Sequence, residues 1–149
     1  MKHLVRIAFI FILGVICMAC GTMKRSSNNL PFSSLNGEWL VQEMNGNRID
    51  AGEQTPYLNF DMEQGTVSGY AGCNRLSGKV EYSQLQNNIL KFMQMVTTRM
   101  ACMDMSIEDE FLKTIDKVVR FDSPDTSAPV RTIDLYGIDG SKILVLQKK

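Results

Sequence analysis

The chain has 149 residues with 16 basic and 16 acidic side chains, one histidine and four cysteines, and this length allows one ordinary domain. A formal charge of zero excludes the basic field of a general nucleic-acid binder. A composition of 44% hydrophobic and 21% charged residues excludes a disordered chain. The one histidine is His3, so loss of the first residues would also exclude Ser-His, Cys-His and histidine-metal chemistry from the remainder.

The first residues have the pattern of an export signal. A short positive start precedes an uncharged apolar run over residues 7–19, and small Ala19 stands directly before Cys20. This junction resembles the lipobox of bacterial lipoproteins, in which the cysteine takes a diacylglycerol and becomes the new N-terminus. Cys17 departs from that pattern, because leucine is usual there. The alternative is a retained membrane span, since the 17 uncharged residues are at the lower limit of spanning length. We predict a lipoprotein signal peptide over residues 1–19.

Lipidation of Cys20 would anchor an exported domain to a membrane. Gly21 follows it and no aspartate does, which by the enterobacterial sorting rule favours the outer membrane, on the periplasmic side. Residues 20–34 are polar and lack apolar periodicity, so they predict a flexible linker after the lipidated cysteine. The folded domain is then expected at residues 35–149. Without the two basic residues of the signal, 14 basic and 16 acidic residues remain, a net charge of −2.

Strand patterns dominate the expected domain. Asn45-Gly46 is a strong hairpin signal after the first strand, and the segment from Gly137 to Gly140 predicts a hairpin between the last two strands. The predicted strands cover residues 39–44, 57–61, 66–70, 79–82, 89–96, 118–121, 132–136 and 142–146.

One segment has helical periodicity instead. Apolar residues recur at steps of three and four at positions 107, 111, 112, 115, 118 and 119. Ser106 and Asp109 match a capping pattern, and the acidic run from Glu108 to Glu110 suits the first turn of a helix without invoking acid-base catalysis. These elements predict an α+β fold. We expect a strongly curved antiparallel sheet or open β-barrel-like domain of about eight strands, with one main helix packed against it.

The most particular stretch is GYAGCNR at residues 69–75, which is followed by TTRMAC at residues 97–102. This order, with a Leu-Asn-Gly-Glu-Trp start before it, resembles the META domain, also called HslJ-like. The positions that match the motif are Trp39, Gly69, Gly72, Asn74, Arg75, Thr98 and Met100. The resemblance implies a small bacterial envelope protein, often a lipoprotein, linked to heat stress or, in parasites, to virulence or secretion. No enzymatic activity is established for the family.

Two cysteines remain for the domain once Cys17 and Cys20 are assigned to the signal and the anchor. In an exported protein such a remaining pair, here Cys73 and Cys102, usually forms a disulfide. The alternative is a redox switch or a nucleophilic thiol, although the domain has no histidine and no CxxC to lower a thiol pKa. The glycines around Cys73 predict turns and bulges, since they match no phosphate-binding motif.

Sulfur and aromatic side chains each leave two interpretations open. Methionines at positions 93, 95, 100, 103 and 105 surround Cys102, and soft sulfur ligands select Cu(I). The alternative is that methionine fills irregular core space.

Aromatic residues are spread one or two per element, which favours a packed core over a cavity for a lipid or peptide.

These observations predict a non-enzymatic, lipid-anchored envelope protein that acts as a binding or structural module in stress response or envelope maintenance. Its expected partners are the membrane, through the lipid on Cys20, and an unknown protein or small hydrophobic molecule. We expect no catalytic residue, cofactor, metal or nucleic acid. The alternatives are a carrier of a hydrophobic ligand inside the barrel, and Cu(I) or redox handling through Cys102 and the neighbouring methionines.

Overall fold

The structure is a computed structural model that describes residues 30–83, 88–125 and 128–149. The predicted signal peptide, the lipidation site Cys20 and the linker up to residue 29 lie outside the described residues. The described elements are a short 3-10 helix at Phe32–Leu35, then β1 Gly37–Met44, β2 Asn47–Arg48, β3 Tyr57–Asp61, β4 Thr66–Tyr70, β5 Arg75–Ser83, β6 Ile89–Thr97, α1 Ser106–Ile115, β7 Arg120–Asp122, β8 Thr132–Tyr136 and β9 Lys142–Lys148.

Alternating burial explains why the chain forms these strands. In β3, Leu58 and Phe60 are buried while Asn59 between them is exposed. Strand β4 repeats the pattern, with Val67 buried and Ser68 exposed. Successive side chains of a strand point to opposite faces, so each strand places one apolar row inside and one polar row outside.

The strands form an antiparallel sheet that closes on itself. Their order is β2-β1-β3-β4-β5-β6-β7-β8-β9, and β1 also pairs with β9. The predicted α+β fold with a curved antiparallel sheet and one helix is confirmed. Hydrogen bonds between β1 and β9 close the ring. The described part of the chain has nine strands, of which the short β2 is one. The seam between β6 and β7 consists of the single pair Ile89↔Arg120.

Side chains from all around the ring fill its interior. Among the fully buried residues with the largest side chains are Trp39, Leu35, Met44, Leu58, Leu90, Phe111, Ile115, Phe121, Ile133, Leu135, Leu144 and Leu146. The interior is therefore packed with protein side chains, which is the arrangement that the aromatic distribution favours.

Helix α1 lies over one end of the ring. Phe111 and Ile115 on its inner face are buried in the core. The β1–β2 hairpin contacts the same helix, because Asn45 Nδ2 donates to Glu110 Oε1 at 2.9 Å and to Thr114 Oγ1 at 3.0 Å. Asn45 has a positive φ, as the predicted tight hairpin requires. Of the helices in the described ranges, none is long and apolar enough to cross a membrane.

The ends of α1 differ from the prediction. Ser106 is the first helical residue and not the cap; its N–H donates to Asp104 Oδ1 at 2.9 Å. That hydrogen bond lowers the pKa of Asp104. The helix also ends at Ile115, so Val118 lies beyond it, although it is buried as a core residue.

The N-terminal segment covers the opposite end of the ring. Phe32 packs against Tyr82 and Phe121, with ring centroids 4.3 and 5.7 Å away. Lys148 Nζ donates to the carbonyl of Asn36 at 2.7 Å and to a second carbonyl in the same segment, which ties the segment to the last strand. We call residues 30–36 the N-terminal plug.

The linker is predicted to extend to residue 34, whereas in the structure residues 30–34 already belong to the packed domain. Leu30 and Phe32 supply apolar contacts with the core that the polar composition of the segment does not reveal.

Candidate functional site

Three of the motif residues, Asn74, Thr98 and Met100, come together with both cysteines and Glu108 at the α1 end of the ring. They lie on three separate segments: the β4–β5 turn, the segment that follows β6, and the first turn of α1. We call this group the Asn74 cluster; its members are Cys73, Asn74, Thr98, Met100, Cys102 and Glu108.

The side chain of Asn74 is the centre of the cluster. Its Oδ1 accepts from Thr98 Oγ1 at 2.8 Å and from the backbone N–H of Met100 at 2.7 Å. Its Nδ2 donates to the carbonyl of Met100 at 3.2 Å and to Glu108 Oε1 at 2.8 Å. An amide offers two donors and an acceptor with two lone pairs, so these four bonds use its full capacity. Asn74 is only 1% exposed, and its bonds fix the segment after β6 against the β4–β5 turn.

Glu108 supplies the acceptor for the turn itself. It is 3% exposed, and its Oε2 accepts the backbone N–H groups of Cys73 at 3.0 Å and Asn74 at 2.5 Å. The sequence predicts Glu108 in the first turn of the helix, where it suits the dipole, and the structure confirms this position. The structure adds a role that the sequence did not predict, that of a buried acceptor. The sequence does contain a pattern that predicts the burial itself. Position 108 precedes Phe111, Leu112 and Ile115 by three, four and seven residues, so it lies on the same inner face of α1.

A disulfide joins two of the three segments. Cys73 and Cys102 are bonded, with their Cα atoms 6.2 Å apart and 29 residues between them in sequence. The predicted cysteine pair is confirmed as a disulfide. Neither sulfur is a thiolate in this form, so neither can act as the nucleophile or soft metal ligand that the alternatives require.

Glycine is required at two motif positions for different reasons. Gly72 has a φ of +122°, which strains any other residue. A Cβ on Gly69 would overlap the backbone carbonyl of Tyr57 on the neighbouring strand. Both glycines therefore have a steric role that shapes the β4–β5 region.

Trp39 and Arg75, like the two glycines, lie outside the cluster. Trp39 is fully buried in β1, and its Nε1–H donates to the carbonyl of Leu35 at 2.6 Å, so it secures the N-terminal plug. Arg75 has an exposed side chain, while its backbone N–H donates to Thr98 Oγ1 at 3.2 Å.

The methionines divide into exposed and packed groups. Met93, Met100 and Met103 are 45%, 56% and 107% exposed, and we call these three the methionine surface. They do not fill the core, which corrects that part of the expectation. Met95 packs against the core and Met105 is half-buried.

Asp134 on β8, outside the Asn74 cluster, has a pKa raised above its ordinary value. Burial raises the pKa of Asp134, and the nearby carboxylates of Asp122 and Glu43 raise it further. Lys142, with its Nζ 3.9 Å from Asp134 Oδ2, opposes this effect. In the ranges that the structure describes, His, Cys, Asp and Glu side chains do not gather in a group of three that could hold a metal ion.

Comparison with known proteins identifies the fold and the family. A protein from Burkholderia xenovorans solved by NMR is similar with a TM-score of 0.63 and 22% identity, over 82% of this chain and 88% of the other. A second protein solved by NMR is similar with a TM-score of 0.57 and 22% identity, over 79% and 93% of the two chains. No curated protein matches the chain. The META domain matches residues 32–149, which include the Asn74 cluster, and the chain therefore belongs to the META domain family.

Proposed function

We propose that this META domain protein is an exported, lipid-anchored envelope protein without enzymatic activity, and that it binds a partner protein at the α1 end of its barrel in stress response or envelope maintenance. The observation that carries the proposal is a rigidly held segment with exposed apolar side chains. Val96 is 62% exposed and Met100 is 56% exposed, on either side of Thr98.

Rigidity distinguishes this segment from an ordinary surface loop. The Cys73–Cys102 disulfide and the amide of Asn74 hold it from two sides, so little conformational freedom remains to be lost on binding. Exposed apolar side chains mark protein interaction sites where they form a contiguous patch, and we propose that Val96 and Met100 contribute to one. The surface is therefore suited to a protein partner.

The position of the plug supports a tethered arrangement. The plug covers the end of the ring that lies opposite α1, and Leu30 is its first residue. Ten residues lead from Cys20 to Leu30 and reach at most about 35 Å when extended. A lipid on Cys20 would leave Met100, at the α1 end, on the side of the barrel away from the tether and accessible to a partner.

A non-enzymatic role agrees with how the buried polar groups are used. Glu108, a carboxylate in the motif region, is 3% exposed and accepts three hydrogen bonds from its own domain. Three of its acceptor positions hold the fold together, which supports a structural role for this carboxyl group over a catalytic one.

Anchoring is tested by Cys20→Ala with membrane fractionation of cells. We expect the wild-type chain in the membrane fraction and the variant outside it. Equal membrane association of both chains would contradict lipid anchoring at Cys20.

Partner binding is tested by chemical cross-linking in cells with Met100→Glu. Ile138→Glu is the matched control, because Ile138 is also an exposed apolar residue (90%) but lies in the β8–β9 turn. We expect a cross-linked species that disappears with Met100→Glu and remains with Ile138→Glu. A species that survives both changes would contradict a partner at this surface. A lipid retained in native mass spectrometry would instead support the carrier alternative.

A further inference from the structure

The methionine surface is chemically distinct from the remaining methionines of the domain. Met93, Met100 and Met103 expose 45%, 56% and 107% of their side chains, whereas Met44 and Met62 expose 2% and 5%. Two-electron oxidants convert thioether sulfur to the sulfoxide, and an exposed thioether is more accessible to them than a buried one. One domain therefore carries both accessible and protected thioethers.

We propose that Met93, Met100 and Met103 form a reversible oxidation site, at which a hypohalous acid converts the thioethers to sulfoxides and a methionine sulfoxide reductase restores them. With hypochlorous acid, the sulfur gains the oxygen and loses two electrons. The chlorine leaves as chloride, and the hydroxyl proton is released to water. In the reverse step a dithiol supplies two electrons and two protons, the oxygen leaves as water, and the dithiol becomes a disulfide.

The structure explains why oxidation here would spare the fold. Asn74 holds Met100 through its backbone N–H and carbonyl, and these groups are unchanged when the side chain becomes a sulfoxide. Met103 is fully exposed and Met93 lies on the outer face of β6, paired with Lys79. The modification would make an apolar surface polar without placing a polar group in the core.

The Cys73–Cys102 disulfide strengthens the assignment. Its sulfurs are already oxidised, and Cys73 is 2% exposed, so the most exposed reduced sulfur atoms of the described domain are the thioethers of Met93, Met100 and Met103. The proposal depends on export only for where the oxidant is met. The reactivity itself can be measured on the unlipidated chain, so its failure is distinguishable from failure of the anchor or of the partner.

The experiment treats the mature, disulfide-bonded chain with limiting hypochlorous acid and follows the sulfoxide of each methionine by peptide mass spectrometry. We expect Met103, Met100 and Met93 to oxidise at least about tenfold faster than Met44 and Met62. The urea concentration at which half of the protein is unfolded (the urea midpoint) should be unchanged after this fast oxidation of the three exposed methionines. A methionine sulfoxide reductase with a dithiol should then remove the sulfoxides from the folded chain.

The same reaction in urea is the control for local sequence effects, since unfolding exposes every thioether and should make the rates equal. The proposal is overturned if the buried and exposed methionines of the folded chain react at similar rates. It is also overturned if the fast reaction lowers the urea midpoint, or if the reductase leaves the three sulfoxides in place.

Discussion

Replacement of Glu108 tests whether the Asn74 cluster holds the α1 end of the barrel together. Glu108→Ala removes three hydrogen bonds and leaves the N–H groups of Cys73 and Asn74 buried without an acceptor. Each such buried donor costs about 1–3 kcal/mol, so the loss of the acceptor for both should lower the free energy of unfolding by about 2–6 kcal/mol. Glu108→Gln keeps an oxygen toward both N–H groups but turns an NH₂ toward Asn74 Nδ2, and should cost about 1–2 kcal/mol.

Urea denaturation of the disulfide-bonded chain measures these differences. Asp109→Ala is the matched control, because Asp109 is exposed in the same helical turn and its loss should cost less than about 1 kcal/mol. The reasoning predicts a graded series in which Glu108→Ala is most destabilising, Glu108→Gln is intermediate and Asp109→Ala is least. If Glu108→Ala costs no more than Asp109→Ala, the buried-acceptor role of Glu108 is refuted.

Three further predictions address other parts of the domain. Gly69→Ala should prevent folding or lower the urea midpoint sharply, whereas Gly52→Ala, whose Cβ meets nothing within 4 Å, should leave it nearly unchanged; equal midpoints would contradict the steric argument. Asp134→Asn should raise the thermal midpoint at pH 7, because the raised pKa of Asp134 makes its charge destabilising in the folded state. This gain should disappear below pH 3.8, where the folded and unfolded chains are both protonated, and a gain that persists there would refute the assignment. Alkylation without reduction should label neither Cys73 nor Cys102, and reduction should lower stability by roughly 3.6 kcal/mol for the 29-residue loop; two readily labelled thiols would contradict the disulfide.

Local sequence patterns were sufficient to predict most of the strands in the sheet. The alternation in β3 and β4 and the Asn45-Gly46 turn depend on neighbouring residues only, and all three appear where the sequence predicts them. Strand β5 begins at Arg75, earlier than predicted, because Tyr70↔Arg75 pairing across a tight turn extends it through Gly78. A glycine in this position weakens a strand pattern without preventing the pairing.

The parts that sequence did not predict depend on contacts between distant residues. Glu108 is buried because the turn at Asn74, 34 positions away, needs an acceptor. The plug packs because Tyr82 and Phe121 come together at its end of the barrel. Composition predicts neither arrangement, since Glu108 and the segment before Leu35 are polar in the sequence.

The N-terminal plug also determines how a pulling force would enter the domain. Any load applied through the preceding residues reaches Phe32 and Leu35 before it reaches the first strand. Lys148 would share this load with the last strand, because its ammonium group is bonded to plug carbonyls. When the chain is pulled from its N-terminal side, we therefore expect the contacts of the plug to break before the hydrogen bonds of the ring.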